Sequence, residues 1–207
     1  MGNPAQLKLP PAFATAPESA AALRAASWTQ RRQFKLTRKA LALAGDPGLV
    51  LDLPCGAGRF WPLLTGKSNR VVIAADTTLD ALETALAAHG SAVLDHIRPL
   101  QTALAPIDLS DNAVDSILCM HSLQQITDPE RRMALLRECY RVSRDTVIVA
   151  LWSDPALSPW RHRHQAGAAK VRAEAEVEFR QAGFKIQARL DTLACWSMAR
   201  IYLLRKP

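Results

Sequence analysis

Two aspartates and two glycines between positions 52 and 76 have the types and spacing of a nucleoside-binding unit. The apolar run 49–51 ends at Asp52, and Gly56 and Gly58 follow in a turn of small residues. A second apolar run ends at Asp76, about 20 residues further on. Small turn residues let the backbone approach a ligand closely, and a carboxylate such as Asp76 accepts hydrogen bonds from ribose hydroxyls. The spacing therefore predicts a βαβ unit that binds a nucleoside.

The glycine spacing distinguishes between two classes of cofactor. A dinucleotide fingerprint reads G-x-G-x-x-G and places a pyrophosphate at a helix N-terminus. Here only Gly56 and Gly58 are present, and Asp52 ends the strand before them. A carboxylate at that position repels a pyrophosphate but suits the ammonium group of an amino acid. The alternatives are structural: Asp52 caps the turn, and Asp76 caps the helix that begins near Leu79.

Residues 52–58, which read D-L-P-C-G-A-G, resemble motif I of the class I S-adenosylmethionine (SAM)-dependent methyltransferases, written D/E-x-G-x-G-x-G. The resemblance is to the methyltransferase type 11-like members and extends from Val50 to Trp152. Residues 107–117 likewise resemble the L-P-F-P-D-x-S-F-D segment that leads into the fourth strand of that family. One departure is Pro54, which replaces the first glycine and has no N–H to offer a cofactor.

The resemblance implies SAM as the cofactor and a site at the carboxyl ends of the first four strands. After the third strand, Ala103 stands where the family often has an acidic residue beside the adenine amine. Adenine recognition is then expected from backbone groups, from Thr102 or from apolar contact with Leu104. The cofactor-binding residues implied in this way are Asp52, Pro54, Cys55, Gly56, Gly58, Asp76, Thr77, Thr102, Ala103, Leu104, Cys119 and Met120.

The candidates for the acceptor side are less specific. His121 follows the predicted fourth strand and is the candidate general base, because an unperturbed imidazole has a pKa near neutrality. Its alternative is a structural histidine that lines the pocket. Basic and aromatic residues in the N-terminal segment and after the fifth strand are candidates to bind a carboxylate or phosphate, the alternative being a solvated surface. These substrate-binding candidates are Trp28, Arg31, Arg32, Trp160, Arg161 and Arg163.

Apolar runs that alternate with helical segments predict a parallel sheet covered on both faces. The expected strands are 49–53, 71–75, 97–101, 114–120, 146–151, 184–190 and 195–204, and the expected helices are 18–43, 58–65, 79–89, 129–142 and 168–182. A polar loop is expected between 153 and the last helix. The fold class is α/β, a Rossmann-like, doubly wound, seven-stranded and mostly parallel sheet with one antiparallel edge strand, plus an N-terminal helical lid.

Length and composition fit one globular domain of a reducing compartment. Residues 1–16 are predicted to be mobile, and 17–207 to form a single methyltransferase domain: a helical lid (17–45), a cofactor-binding core (49–152), and a substrate-side loop with the C-terminal strand pair (153–207). No apolar run approaches the roughly 18 residues of a membrane span, and no signal peptide is evident. The four cysteines are widely spread, which predicts buried thiols in the cytoplasm and neither disulfides nor a metal site.

The charge and the motifs together predict a function. The net charge is +7, from 26 basic and 19 acidic residues, and it is interpreted mainly as solubility charge. Nucleic acid is disfavoured as a partner, because no aromatic-rich nucleic-acid module is visible. The prediction is methyl transfer from SAM to a small, anionic acceptor by in-line displacement, in which positioning supplies much of the rate. The alternatives are a methyltransferase-like binding or regulatory protein without turnover, which Pro54 and Ala103 favour, and an RNA methyltransferase, which only the charge favours.

Overall fold

The structure, a computed structural model, describes residues 20–120, 122–152, 161–191 and 199–207. The predicted mobile segment 1–16, His121 and Trp160 lie outside these ranges. The sheet, the helices and all the residues predicted to bind the cofactor lie within them. In the described part of the chain, no helix has the length and apolar character needed to cross a membrane.

Seven strands form one sheet in the order β3-β2-β1-β4-β5-β7-β6. The strands are β1 (Leu49–Asp52), β2 (Val71–Asp76), β3 (Ile97–Gln101), β4 (Val114–Met120), β5 (Ser143–Trp152), β6 (Lys185–Asp191) and β7 (Ala199–Arg205). Strands β1 to β5 are parallel, and β7 runs antiparallel to both β5 and β6. The predicted fold class is confirmed, and the antiparallel strand lies one place in from the edge.

Helices cover both faces of this sheet. They are α1 (Ala20–Leu43), α2 (Trp61–Leu64), α3 (Leu79–Ala87), α4 (Ser91–Leu94), α5 (Pro129–Val142) and α6 (Arg161–Gln181), with a 3₁₀ turn at Leu123–Gln125. Buried residues of α1, α2 and α3 pack on one face with Val50 and Leu118, whereas those of α5 and α6 pack on the other face with Leu51 and Ile117. Successive residues of the central strands β1 and β4 are therefore almost all buried, which explains their continuous apolar runs.

Helix α1 is a structural layer of the fold over its second half. Leu36, Ala40, Leu41 and Ala44 are buried at helical spacing, and the helix contacts β5, β6 and β7. The segment predicted to be helical from 18 to 43 is described from Ala20 to Leu43 as one continuous helix that packs on the sheet. A lid function stays a prediction for the part of α1 that precedes this buried half.

The start of α6 corrects one prediction. A polar loop was expected to continue to about 168, but the helix begins at Arg161, so Arg161 and Arg163 lie in its first turn. The reason is that residues 161–168 contain no proline and mostly good helix formers, and a single Gly167 lowers helix stability by only about 1 kcal/mol. The helix ends before Gly183, whose φ of +99° is readily adopted by glycine.

An ion pair joins α5 and α6 on the same face of the sheet. Arg132 of α5 donates to both carboxylate oxygens of Glu178 in α6 and also to the backbone carbonyls of Ile126 and Thr127. The loop that follows β4 is therefore held to the helix pair beneath it. Helix α5 itself begins as predicted, because the Asp128 carboxylate accepts a hydrogen bond from the N–H of Glu130 at 2.9 Å.

Candidate active site

The turn after β1 continues the hydrogen bonding of the sheet beyond the end of the strand. The N–H of Leu53 donates to the carbonyl of Leu118 in β4 at 3.0 Å, and the N–H of Cys55 donates to the carbonyl of Ala75 in β2 at 2.8 Å. The turn is therefore attached to both neighbouring strands. It lies between β1 and β4, where the strand order reverses, and ligands of open α/β sheets bind at such a switch point.

The two glycines of this turn have left-handed backbones for different reasons. Gly56 has a φ of +51° and Gly58 a φ of +68°. A Cβ built on Gly58 would lie 2.6 Å from Cδ2 of Trp61 and 2.9 Å from Cε1 of His89, whereas a Cβ on Gly56 would meet nothing within 4 Å. Gly58 is thus required by the packing of Trp61. The open space beside Gly56 leaves its backbone accessible to a ligand.

Asp76 fixes this turn to the end of β2. Its carboxylate is buried, and it accepts one hydrogen bond from the N–H of Gly56 at 3.0 Å and another from the N–H of Thr77 at 2.8 Å. The alternative role as a helix cap is wrong, because the hydroxyl of Thr78 caps α3 by accepting from the N–H of Ala81. Each carboxylate oxygen has a second lone pair, so Asp76 can still accept from ribose hydroxyls.

Asp52 is buried beneath the turn without enough hydrogen-bond partners. The residue is 2% exposed, and among the described residues its Oδ2 has no hydrogen-bond partner; neither has the nearby indole Nε1 of Trp61. Burial raises the pKa of Asp52 to about 8; the Trp61 indole opposes this shift, and the negative charge of Asp76 adds to it. A cation at Oδ2 would supply the missing partner and stabilise the ionised form.

The loop after β3 is held in place by its neighbours. The N–H of Thr102 donates to the carbonyl of Asp76 at 3.0 Å, and the Thr102 hydroxyl accepts from the N–H of Asp108 at 2.8 Å. Ala103 is exposed, and Leu104 is half-buried. The hydroxyl of Thr102 is therefore already used within the loop. An adenine at this edge would meet backbone groups and the side chain of Leu104.

Two charged residues of α5 clamp the far end of the same loop. Glu138 accepts from the N–H of Ile107 at 2.7 Å, and Arg141 donates to the carbonyls of Ile107 and Leu109 and to both oxygens of Glu138. The Arg141 guanidinium holds the pKa of Glu138 below its usual range. No sequence pattern points to this clamp, because its two residues lie on a helix about 30 positions away from the loop.

The end of β4 brings two more of the predicted residues to the same edge. Leu118 pairs in register with Asp52, and Cys119 and Met120 follow it, both buried. The thiol of Cys119 lies 2.9 Å from the hydroxyl of Ser122. Burial raises the pKa of the Cys55 thiol, so that side chain stays protonated near neutral pH. These contacts are those of packed small residues, not of activated nucleophiles.

The predicted substrate-binding residues are not brought together by the described contacts. Arg31 is exposed on α1, and Arg32 is half-exposed on the same helix. Trp28 belongs to α1, and Arg161 and Arg163 belong to α6. Trp61, which the sequence analysis did not single out, lines the turn beside Asp52 and Gly58.

Comparison with known proteins identifies the class of this chain. Residues 50–146 match the family described as a methyltransferase domain. No curated protein sequence matches the chain. Magnesium protoporphyrin IX methyltransferase from Synechocystis PCC 6803, solved with bound SAM, is similar with a TM-score of 0.67 and 16% identity, covering 93% of this chain and 86% of that one.

Two further solved structures share the fold. A SAM-dependent methyltransferase from Aquifex aeolicus has a TM-score of 0.59 and 18% identity, covering 77% of this chain and 82% of that one. The methyltransferase domain of bacterial CtHen1 has a TM-score of 0.67 and 17% identity, and the match covers 84% of this chain and 98% of that one. These likenesses show the fold, and the match of residues 50–146 to a methyltransferase domain supports the class I SAM-dependent methyltransferases as the family. The predicted family is confirmed, and SAM is the cofactor of that family.

The two glycines should respond differently to substitution. Gly56→Ala is expected to lower the free energy of unfolding by about 1 kcal/mol, the cost of a left-handed backbone for a residue with a Cβ. Gly58→Ala carries the same cost plus the clash with Trp61, and should lose about 3 kcal/mol. Urea unfolding of the two variants measures the difference. Equal losses would contradict the packing role of Gly58.

Asp52 should make the stability of the unliganded protein depend on pH. Its folded pKa of about 8 lies above the ordinary value of 3.8, so the folded state holds a proton that the unfolded chain has released. The contribution of Asp52 to the free energy of unfolding is therefore greatest below about pH 4. It is lost as the pH rises towards 8, by on the order of 1 kcal/mol per pH unit.

Asp52→Asn should remove this dependence, since an amide does not titrate. The measurement is chemical denaturation of both proteins at several values between about pH 5 and pH 8. The contributions of all other groups cancel in the difference between the two. Parallel pH profiles would show that Asp52 is ionised in the folded protein.

Proposed function

We propose that the turn at Gly56–Gly58 binds SAM and that the chain transfers its methyl group to a small, anionic acceptor. The observation that carries this proposal is the buried carboxylate of Asp76, which holds the turn through the N–H of Gly56. A nucleoside on this turn lies against exposed backbone and beside a fixed acceptor for its ribose. When bound, SAM supplies a methyl group attached to a sulfonium sulfur, and this sulfur becomes a neutral thioether once the methyl group has been transferred.

Three positions around the turn match the parts of the cofactor. Asp76 accepts from the ribose hydroxyls with the lone pairs that its backbone contacts leave free. Asp52 accepts from the ammonium group of the methionyl end, which provides the partner that its Oδ2 lacks. Backbone groups near Ala103 and the side chain of Leu104 contact the adenine. Thr77, Cys119 and Met120 complete the walls at the ends of β2 and β4.

The residues of this site accelerate the reaction by positioning. In-line displacement requires an acceptor atom behind the methyl group at near-contact distance, and holding two reactants in that geometry supplies a large part of the barrier reduction. The Cys55 thiol stays protonated because burial raises its pKa, and the Cys119 thiol lies within hydrogen-bond distance of the Ser122 hydroxyl. His121, which immediately follows β4, is the proposed general base where the acceptor carries a proton.

Positive charge near the turn supports an anionic acceptor. Arg31 is exposed on α1, one helical turn before Phe34, which packs edge-to-face on Phe60 of the motif turn at 5.4 Å between ring centroids. The chain as a whole has a net charge of +7, which attracts anions. Arg31 and Arg32 on α1, with Trp28, Trp160, Arg161 and Arg163, form the proposed acceptor-binding wall.

A binding protein without turnover is the second candidate, and one observation favours it. The position after β3 that carries an acidic residue in much of the family is the exposed Ala103, so the adenine amine lacks a charged acceptor there. The two functions are distinguished by incubating the protein with SAM and candidate acids and measuring S-adenosylhomocysteine. Accumulation beyond the spontaneous rate supports an enzyme, whereas tight binding without product supports a binding protein.

Asp76→Ala should weaken the binding of S-adenosylhomocysteine by on the order of 2–3 kcal/mol, because charge-assisted hydrogen bonds to the ribose are lost. Calorimetry measures the affinity. Asp80→Ala is the matched control, since it removes an exposed carboxylate four residues further on, in the first turn of α3. Its affinity should equal that of the wild type.

Asp76→Ala also frees the N–H of Gly56. The unliganded variant should therefore lose about 1–3 kcal/mol of stability while remaining folded. A melting curve establishes that the titrated protein is folded. Unchanged affinity in a folded Asp76→Ala protein would refute the ribose contact.

A further inference from the structure

A cavity of about 410 Å³ lies between the C-terminal half of α1, α2 and the loop that leads to β2. That volume is within the range of pockets for small molecules. Asp46 and Arg70, which line it, come shortly before the amino ends of β1 and β2, whereas the turn at Gly56–Gly58 follows the carboxyl end of β1. The four residues of β1 separate its two ends by roughly 13 Å. The cavity is therefore separate from the candidate active site.

Three cationic side chains and one carboxylate line this cavity, namely Arg38, Lys67, Arg70 and Asp46. One oxygen of Asp46 pairs with the Lys67 ammonium at 2.8 Å, and the other lies 3.6 Å from Nη2 of Arg70. Arg38 is exposed, and it forms no ion pair with any residue that the structure describes. A single carboxylate thus faces three cations, so the cavity has a positive potential that attracts anions.

Arg70 places one of these charges beneath the wall of the cavity. Its side chain is 3% exposed, and it donates to the carbonyls of Pro47 at 2.8 Å and Leu64 at 3.2 Å. Its Nη2 is buried and has no hydrogen-bond partner among the described residues. Burial lowers the pKa of the guanidinium, and the nearby Asp46 only partly opposes this shift. An anion in the cavity would reduce the cost of this incompletely matched, buried charge.

The rest of the lining is largely apolar. Leu41 and Ala42 of α1 contribute to it, together with Pro62 and Leu63 of α2. An inorganic ion would leave these side chains against water, whereas an apolar body attached to the anion would cover them. The lining therefore matches an organic anion better than a bare ion.

We propose that this cavity binds a small organic phosphate, with Arg38 and Lys67 in contact with the phosphate group and the apolar side chains of α2 in contact with the organic body. Three cations and one carboxylate leave two positive charges unmatched, and a phosphate monoester carries about −1.5 to −2 charges at neutral pH. Arg70 acts through its charge, because its Nη2 is buried. This site is additional to methyl transfer and does not depend on the proposed function.

The test leaves Arg70 unchanged, because its bonds to two backbone carbonyls also hold the loops before β1 and β2. The whole protein is titrated with phenyl phosphate, and calorimetry measures the affinity. The double variant Arg38→Gln/Lys67→Gln should bind on the order of tenfold more weakly, since two exposed charged contacts are lost. The matched control is Arg131→Gln/Lys170→Gln, which removes two charges from side chains that are 64% and 78% exposed on other helices. Its affinity should equal that of the wild type.

Asp46→Asn should change the affinity in the opposite direction. It removes the carboxylate from the lining and releases the Lys67 ammonium, so phenyl phosphate should bind several-fold more tightly. Residue 46 has a left-handed backbone with a φ of +55°, which asparagine also adopts readily, so the loop should keep its conformation. A melting curve for each variant establishes that the titrated protein is folded.

Two further ligands test the chemistry of the occupant. Inorganic phosphate has a similar charge without the apolar body, and benzoate has an apolar body with a single charge. Both should bind on the order of tenfold more weakly than phenyl phosphate. Either of them binding as tightly would contradict the proposed organic phosphate.

The location of the site is contradicted by either of two results. One is wild-type protein that does not bind phenyl phosphate. The other is an affinity that is the same in the folded Arg38→Gln/Lys67→Gln variant as in the wild type, which would place the ligand elsewhere, for example in the acceptor pocket. The proposed function is judged separately by the binding of S-adenosylhomocysteine, so its failure and the failure of this proposal are distinguishable.

Discussion

The hydrogen bond from the Gly56 amide to the Asp76 carboxylate is the interaction on which the proposed site depends. It joins the turn after β1 to the end of β2, and it requires the left-handed backbone that Gly56 adopts without strain. Both partners lie at the ends of buried parallel strands, so their relative position is set before any ligand arrives. Preorganisation of this kind reduces the conformational entropy lost on binding.

The same turn concentrates polar groups that the fold leaves without partners. Asp52, Trp61 and Arg59 each have a buried nitrogen or oxygen with no hydrogen bond in the described part of the chain. Most buried polar groups in proteins are paired, and the exceptions beside this turn are groups that a polar ligand would satisfy. These groups lower the free energy of unfolding of the protein, because they are buried without hydrogen-bond partners. A ligand with an ammonium group would recover part of that loss as binding free energy at Asp52.

Much of the fold followed from local sequence patterns. The apolar runs predicted all the strands of the sheet, and Asp128 with Pro129 predicted the start of α5. The beginning of α6 could not be placed, because residues 161–168 are mostly good helix formers but have no apolar periodicity to distinguish a helix from a loop. Their helical conformation depends on continuity with the packed half of the helix, where Phe179 is buried.

The site was predictable only where a motif marks it. The spacing of Asp52, Gly56 and Asp76 was sufficient to predict that they meet at one edge of the sheet. The space-filling role of Gly58 was not predictable, since it comes from the approach of Trp61 and His89.

The central claim, that this turn binds SAM and not a dinucleotide, is tested most directly by thermal unfolding with each cofactor. Ligand that binds only the native state stabilises it, by roughly 2.7 kcal/mol at 100 times its dissociation constant. The account predicts a higher melting temperature with SAM or S-adenosylhomocysteine and no change with NAD, because Asp52 repels a pyrophosphate. A shift with NAD, and none with SAM or its product, would contradict the account.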